Sequence, residues 1–314
     1  MSFPPESYLI GAQKAGTTAL AHLLNQHPQV TIGQTKEPHF FTDNWTKGLD
    51  WYRKQYPDSP NTFCMDASTS YSMAPLTEGW KHRNPGVYED IPAKVHSLSP
   101  DAKFIYLLRD PVHRTYSGYW HDVRMGVQNE EFRAALQSNP FYLDVSDYYG
   151  QLLRWLDYFP LSSFHFVPFE ELKERPHQVV NECFTFLGLP SLTNSIHLGS
   201  AQNESHQVGW VGRRVNQIEI AFPRLRAVLK SNLPRGLKRF VNRVKRGSAP
   251  LPSMAEEDRH FLVEYFRERN ENLQRLIGTS FGWVSTVKLA WLPVLLSGWY
   301  GLTVMLLSDA VDWM

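Results

Sequence analysis

The chain has 314 residues, which is enough for one large α/β domain or two smaller ones with a buried core. Its formal net charge of +1 gives no general attraction to polyanions, so we expect no nucleic-acid partner. Two cysteines, Cys64 and Cys183, form no Cys-x-x-Cys pair, which argues against a disulfide framework and a structural zinc site. The first residues show neither a basic nor an apolar signal region, so we expect no secretory signal.

The first motif lies in residues 8–24, where an apolar run precedes a loop with two glycines and then apolar residues at helical spacing. Glycine lets backbone N–H groups approach an anion closely, and the first turn of a helix adds N–H donors and partial positive charge. Lys14 adds a full charge in the same loop, and Thr17 or Thr18 is placed to cap the helix. The stretch predicts a phosphate-binding loop.

This loop differs from the Walker A motif of nucleoside triphosphatases. That motif has its lysine directly after the second glycine, whereas here Thr17 follows Gly16 and Lys14 lies inside the loop. A P-loop kinase would also need a carboxylate for Mg²⁺, and the sequence shows none in a suitable motif. An ordinary strand, turn and helix with a surface lysine is the other alternative for the loop considered by itself.

The next polar segment is K-E-P-H-F-F, which follows a predicted short strand at residues 30–32. Lys36, Glu37 and His39 therefore fall just beyond a strand end, where α/β proteins place their chemistry. One helix and one strand separate this segment from the phosphate-binding loop, the length of a βαβ unit that returns to the same sheet edge. The alternative is that Lys36 and Glu37 are solvated loop charges.

A further strand end carries the segment R-D-P-V-H-R-T-Y-S-G-Y. Residues 103–108 form an apolar run typical of a central parallel strand, and Arg109 follows it directly. Asp110 precedes Pro111 and is predicted to cap the next helix. Ser117 lies two turns into that helix, so Arg109 and Ser117 can face one anion, which suits an arginine fork. Alternatively, Arg109 pairs with Asp110 and Ser117 is a surface hydroxyl.

Strands and helices alternate over the first 190 residues without hairpin turn signals. This order predicts an α/β fold, a P-loop-like doubly wound parallel sheet flanked by helices. Residues 213–246 contain eleven Lys or Arg residues and one acid, Glu219. Their spacing predicts basic amphipathic helices that either bind an anionic surface or present a solvated face. Residues 254–277 predict a long helix that ends at Gly278.

An apolar run near the C-terminus spans residues 287–307 and has Lys288 as its one charged residue. It is long enough to cross the hydrocarbon core of a bilayer, and its tryptophans fit the headgroup level. We therefore predict that residues 285–314 form a hydrophobic tail that anchors the protein in a membrane. The alternative is a tail helix packed on the domain or on a second subunit.

Four segments now stand in order: Q-K-A-G-T-T, K-E-P-H-F-F, C-M-D-A-S and L-L-R-D-P-V-H-R-T-Y-S-G-Y. Together they resemble the carbohydrate sulfotransferases of the heparan and chondroitin type, which use 3'-phosphoadenylyl sulfate (PAPS) as donor. The resemblance implies one sulfotransferase domain at residues 7–284. Ala67 stands where animal heparan 3-O- and N-sulfotransferases have a lysine, and C-M-D-A-S looks like the chondroitin N-acetylgalactosamine 4-sulfate 6-O-sulfotransferase branch.

The resemblance also implies roles for individual residues. Glu37 matches the family's general base, and Lys14 matches the lysine that stabilises the leaving phosphosulfate. Arg109 and Ser117 match the pair that binds the 3'-phosphate, and Arg213 falls where the family often places a further basic loop over the nucleotide. The donor's 5'-phosphosulfate would lie on Lys14, Ala15, Gly16, Thr17, Thr18 and Ala19. Should Glu37 not be the base, His39 and His121 are the next candidates.

We therefore expect a sulfotransferase that moves the sulfuryl group of PAPS to a hydroxyl or amine of a glycan or glycolipid. No metal is expected, because the sulfuryl group carries less negative charge than a phosphoryl group and a lysine with helix N–H donors can stabilise it. Acceptor choice is assigned to the loops at residues 73–92 and 129–146. We expect a cytoplasmic protein with membrane association through residues 287–307, or a Golgi membrane protein in a eukaryote. The alternatives are a non-catalytic nucleotide- or glycan-binding protein on the same scaffold and a P-loop kinase.

Overall fold

The computed structural model describes residues 2–57, 63–192, 196–197, 206–207 and 249–283. The chain divides into two units, Met1–Ser280 and Phe281–Met314. In the second unit the described residues include Phe281 and Trp283, whose rings stack with centroids 4.2 Å apart. The basic segment at 213–246, with Arg213, and the apolar run at 287–307 lie outside the described residues, so the predictions made for them stay predictions.

A parallel sheet lies at the centre of the first unit. Its strands, within the described residues, are β1 (Ser2–Gly11), β2 (Val30–Ile32), β3 (Phe63–Asp66), β4 (Lys103–Leu108) and β5 (Phe164–Pro168). They lie in the order β2-β3-β1-β4-β5, which confirms the predicted α/β fold with a parallel sheet. A separate antiparallel pair joins β6 (His206–Gln207) and β7 (Ala249–Pro250).

The strand order places a topological switch point at β1. The chain runs from β1 out to β2 at the edge, returns to β3 beside β1, and then crosses to β4 on the other side of β1. β2 is therefore not the neighbour of β1, as a simple βαβ unit would make it, because β3 lies between them. Both strands still end at the same sheet edge, and ligands in such folds bind outside the carboxyl ends of the strands at the switch point.

Helices cover the sheet and carry several of the predicted site residues. They are α1 (Thr17–Leu24), α2 (Gly48–Arg53), α3 (Ile91–Leu98), α4 (Pro111–Met125), α5 (Phe132–Ser138), α6 (Phe141–Asp144), α7 (Tyr148–Leu156), α8 (Phe169–Glu174), α9 (Pro176–Leu187) and α10 (Glu256–Ile277). Helix α10 confirms the long helix predicted near residues 254–277. Among the described helices, none combines the length and the apolar character required to cross a bilayer.

Two hydrophobic clusters fix the elements that carry the site. Phe104 of β4 is fully buried and packs against Tyr8, Trp155 and Phe164, with ring centroids 4.8 to 5.7 Å apart. A second cluster joins α4, α5 and α6 to the buried face of α10, where Phe266 is fully buried. Helix α4 is therefore packed against α5, α6 and α10, which gives its site-facing side chains a rigid support.

Candidate active site

The phosphate-binding loop begins where β1 ends. The Ala12 N–H donates to the Leu107 carbonyl at 2.7 Å, so the loop starts in register with the neighbouring strand β4. Lys14 then takes a left-handed conformation with a φ of 70°, and Gly16 takes another with a φ of 97°. A left-handed lysine is strained, and strain of this kind concentrates at functional sites. The loop is thus a compact turn that leads directly into α1.

Gly16, and not a threonine, caps helix α1. Thr17 is the first helical residue, and within the described part of the chain no side chain caps this helix. The sequence prediction of a Thr17 or Thr18 cap was therefore wrong, because the cap position has a φ of 97° that favours glycine. A side-chain carbon at Gly16 would also lie 3.0 Å from the Phe169 ring. The N-terminal end of α1 stays open to the cleft beside it.

One cleft, with a volume of about 530 Å³, contains most of the residues predicted to form the site. This volume falls in the usual range for small-molecule sites. Its lining consists of Gln13, Lys14, Gly16, Thr17, Thr18, Ala19, Glu37, Thr69, Arg109, Ser117, His121, Arg124 and Phe169. Ala15 belongs to the loop but is buried, and its N–H donates to the Ala12 carbonyl at 3.1 Å. Arg213 lies outside the described residues. The roles assigned from sequence stay predictions.

Cations crowd one side of the cleft. Burial lowers the pKa of Lys14 to about 8, and repulsion from Arg124, Arg109 and Arg114 adds to this shift. Arg109 donates from Nη1 to the Lys14 carbonyl at 3.1 Å, and its guanidinium lies 5.1 Å from the centre of the Phe169 ring. Burial also lowers the pKa of Arg109 and of Arg124. Such a cluster favours a polyanionic ligand, because bound negative charge removes the repulsion between the cations.

Arg114 supports the loop from below and was missed in the sequence. Its side chain is fully buried, and Nε donates to the Gln13 carbonyl at 3.1 Å while Nη1 donates to the Ser146 hydroxyl at 3.1 Å. Burial lowers its pKa to about 10, so the guanidinium stays charged at neutral pH. Its position on α4, five residues after Arg109, was visible in the sequence, whereas its contact with a loop 101 residues away was not.

Helix α4 presents three polar side chains to the cleft. Ser117, His121 and Arg124 follow one another at helical spacing, and all three line it. Burial, together with the charge on Lys14, lowers the pKa of His121 to about 4, so this imidazole is neutral at pH 7. At the start of the helix the Asp110 carboxylate accepts the Val112 N–H at 2.8 Å, which confirms the predicted cap. The structure thus brings Ser117 and Arg109 to the same cleft.

Glu37 lines the same cleft and lies in the loop after β2. Its Oε1 accepts a hydrogen bond from Lys36 Nζ at 2.6 Å, and its Oε2 accepts one from the Thr69 hydroxyl at 2.8 Å. His39 Nε2 is 3.6 Å from Oε2. Burial alone would raise the pKa of Glu37, but Lys36, Thr69 and His39 together hold it below its usual value. Glu37 is therefore an ionised carboxylate at neutral pH, as a proton acceptor must be.

A buried carboxylate at the end of β3 holds this loop. Asp66 is fully buried and accepts hydrogen bonds from the hydroxyls of Tyr52, Ser68 and Tyr71 at 2.6 to 2.7 Å. The Ser68 hydroxyl in turn accepts the His39 N–H at 3.0 Å, and the Tyr71 hydroxyl accepts the N–H of the next residue, Phe40, at 3.0 Å. The segment C-M-D-A-S therefore positions the K-E-P-H-F-F loop from beneath.

The two segments expected to select the acceptor contact each other. The prediction of a loop at residues 129–146 was wrong, because this segment contains the helices α5 and α6. Asp144 accepts the Leu76 and Thr77 N–H groups at 3.0 Å and the Trp80 Nε1–H at 2.7 Å. Arg83 forms two hydrogen bonds of 2.9 Å with Asp122 on α4. These contacts fix the first part of the 73–92 loop to the body of the protein. Its role in acceptor choice stays a prediction.

Several known proteins are similar to this chain in sequence or in fold. The heparan sulfate glucosamine 3-O-sulfotransferase 6 of Homo sapiens is 29% identical over 289 residues, which are 89% of this chain and 73% of that protein. The 3-O-sulfotransferase 3B1 of Mus musculus is 27% identical over 290 residues, or 89% of this chain and 65% of that protein. A solved sulfotransferase from Alicyclobacillus acidocaldarius, 22% identical, superposes with a TM-score of 0.61 over 90% of this chain and 99% of its own, which shows the common fold. A model of the sulfotransferase domain family matches residues 4–207, more than half of the chain, and the chain therefore belongs to the sulfotransferase family.

Proposed function

We propose that this protein transfers the sulfuryl group of PAPS to a hydroxyl or amine of a glycan. One observation carries the proposal: a single cleft contains the open end of α1 with Lys14, the pair Arg109 and Ser117, and the ionised carboxylate Glu37. The names of the relatives, heparan sulfate glucosamine 3-O-sulfotransferases, support a glycan acceptor. A glycolipid acceptor belongs to the same proposal, with membrane association through residues 287–307.

The residues of the cleft fit the donor. PAPS carries negative charge at its phosphosulfate and at its 3'-phosphate, and the cleft offers cations for both. Residues 14–19 would hold the phosphosulfate, with the backbone N–H groups at the start of α1 and the Lys14 ammonium directed toward it. Arg109 and Ser117 would hold the 3'-phosphate by a guanidinium fork and a hydroxyl. Arg213 would add a further positive charge over the nucleotide.

The proposed reaction is an in-line displacement at sulfur. PAPS would supply the sulfuryl group, and the phosphate-binding loop and Glu37 are the parts of the cleft that would hold it. Glu37 accepts the proton of the attacking hydroxyl as its oxygen bonds to sulfur, a role that contributes about 10²–10⁴-fold to rate. Lys14 stabilises the charge that develops on the leaving oxygen, with the N-terminal end of α1. Asp66, through its contacts with the loop after β2, keeps Glu37 in place without touching the substrate.

The test is transfer of labelled sulfate from PAPS to heparan sulfate, chondroitin, a glycolipid and a phenol, without added divalent metal. We expect label in a glycan or glycolipid with the wild-type protein. Glu37→Gln should lower the rate by about 10²–10⁴-fold and leave the affinity for adenosine 3',5'-bisphosphate (PAP) unchanged. Glu264→Gln, which alters an exposed carboxylate on α10, is the matched control. Label in the phenol alone, or full activity of Glu37→Gln, would contradict the proposal.

A further inference from the structure

Lys36 bridges two residues that line the cleft, Thr17 and Glu37. Its ammonium lies 2.6 Å from Glu37 Oε1, in the loop after β2, and 3.4 Å from Thr17 Oγ1, at the start of α1. The Lys36 and Glu37 side chains are 23% and 29% exposed. Ion pairs that keep contact with solvent contribute little to folding stability. Both partners of Lys36, Thr17 and Glu37, line the cleft, and these contacts at its wall point to a functional reason for Lys36.

The two partners of Lys36 mark opposite ends of the proposed transfer. Glu37 receives the proton of the acceptor, and Thr17 lines the place of the phosphosulfate. The group in transit must lie between these ends, because an in-line displacement keeps the attacking and leaving oxygens on opposite sides of sulfur. An ammonium within hydrogen-bond distance of both ends therefore lies beside the group in transit.

We propose that Lys36 is a second catalytic lysine, whose ammonium contacts the sulfuryl group of the bound donor and stabilises it during transfer. This inference rests on the proposed function. As the acceptor oxygen bonds to sulfur and the bond from sulfur to the phosphate oxygen breaks, the proton moves to Glu37 and the electron pair to the leaving phosphate. Negative charge thus leaves Glu37 and appears on the far side of the sulfuryl group. Lys36 reaches both places, whereas Lys14 acts from within the phosphate-binding loop.

The first test compares the binding of two nucleotides by calorimetry. PAPS carries the sulfuryl group and PAP lacks it, so a contact with that group affects the binding of PAPS alone. We expect Lys36→Met to weaken PAPS binding about tenfold, the effect of one charged hydrogen bond, and to leave PAP binding unchanged. Lys103→Met is the matched control, because Lys103 is also partly buried but its ammonium binds the Phe186 carbonyl at the other end of β4. Equal losses for PAPS and PAP would overturn the inference.

The second test separates catalysis from an indirect effect on Glu37. Lys36 and His39 are the charged or titratable groups that face Glu37 in the described residues, and loss of Lys36 should move the acid limb of the rate profile to higher pH. If Lys36 acted through Glu37 alone, kcat for transfer to heparan sulfate would recover on the pH plateau. We expect the plateau to stay about 10²-fold below wild type, with partial rescue by Lys36→Arg. A recovered plateau would contradict the proposal, whereas a wild-type protein that binds neither nucleotide would first overturn the proposed function.

Discussion

In the proposed function, Lys14 is adapted to its ligand at the expense of the free protein. Its backbone is left-handed, with a φ of 70°, and its ammonium is placed among Arg109, Arg114 and Arg124. Both features disfavour the protein without donor, since neither strain nor repulsion is compensated there. Bound phosphosulfate would remove the electrostatic repulsion between Lys14 and the three arginines. Lys14 is therefore expected to lower stability while it supports activity.

We predict that Lys14→Met raises the melting temperature at pH 7 and abolishes sulfuryl transfer. The pKa of Lys14 is about 8 in the folded protein against 10.5 for an ordinary lysine, so the folded state binds fewer protons between these values. Stability should therefore rise with pH in this window, and the charged lysine costs at most about 3 kcal/mol below it. Thermal unfolding of the two proteins from pH 7 to pH 10 measures the difference, which should shrink at high pH. A lower melting temperature for Lys14→Met at pH 7, relative to a Lys103→Met control, would be incompatible with this account.

At the scale of elements, the end of β3 determines where the loop after β2 lies. Asp66 accepts hydrogen bonds from the hydroxyls of Ser68 and Tyr71. These hydroxyls in turn accept the N–H groups of His39 and Phe40, which belong to the loop after β2. Burial raises the pKa of the Asp66 carboxyl despite these bonds. The geometry of Glu37 therefore depends on a group that never meets the substrate.

We predict that Asp66→Asn lowers the free energy of unfolding by about 1–3 kcal/mol, because the new amide cannot accept from all of these donors. The rate of transfer should fall, because the loop that carries Glu37 shifts. The affinity for PAP should be unchanged, because Arg114 supports the phosphate-binding loop independently. Chemical denaturation, calorimetry and the transfer assay measure the three quantities. Tyr52→Phe removes a single donor to Asp66 and serves as the mild control. Loss of PAP binding in folded Asp66→Asn protein would show that the two loops are not independent.

The elements that carry the site could be predicted because apolar runs define the strands. Gly16, Glu37 and Arg109 each follow such a run, and parallel strands end at one edge of the sheet. Contacts between distant segments could not be predicted. The hydrogen bond from Thr69 to Glu37 joins residues 32 apart, and β3 enters the sheet between β1 and β2. The cap at Gly16 was missed because a threonine can be either the cap residue or the first residue of a helix. Only the backbone angle φ at Gly16 shows that the glycine is the cap.

At the scale of the whole molecule, local charge and not net charge indicates the ligand. The chain carries a formal net charge of +1, yet Lys14, Arg109 and Arg124 line one cleft at the sheet edge, and Arg114 is buried beside its phosphate-binding loop. The ends of β1, β2, β3 and β4 all contribute to this cleft or to its support. A site assembled from four strand ends holds its groups on rigid elements, which is what in-line transfer between two substrates requires.

The C-terminal run at residues 287–307 predicts where the molecule acts. Its length suffices for a bilayer, and Lys288 is its one charged residue, so we expect the full chain in the membrane fraction and a version ending at Gly282 in the soluble fraction. A double substitution, Leu295→Asp with Leu296→Asp, keeps the length and places two charges at the centre, each costing about 2.5–3.5 kcal/mol in a membrane. The double variant should appear in the soluble fraction, as the version ending at Gly282 does. All three proteins should bind PAP. Full-length protein that stays in the supernatant without detergent would refute the anchor and favour a tail packed against protein.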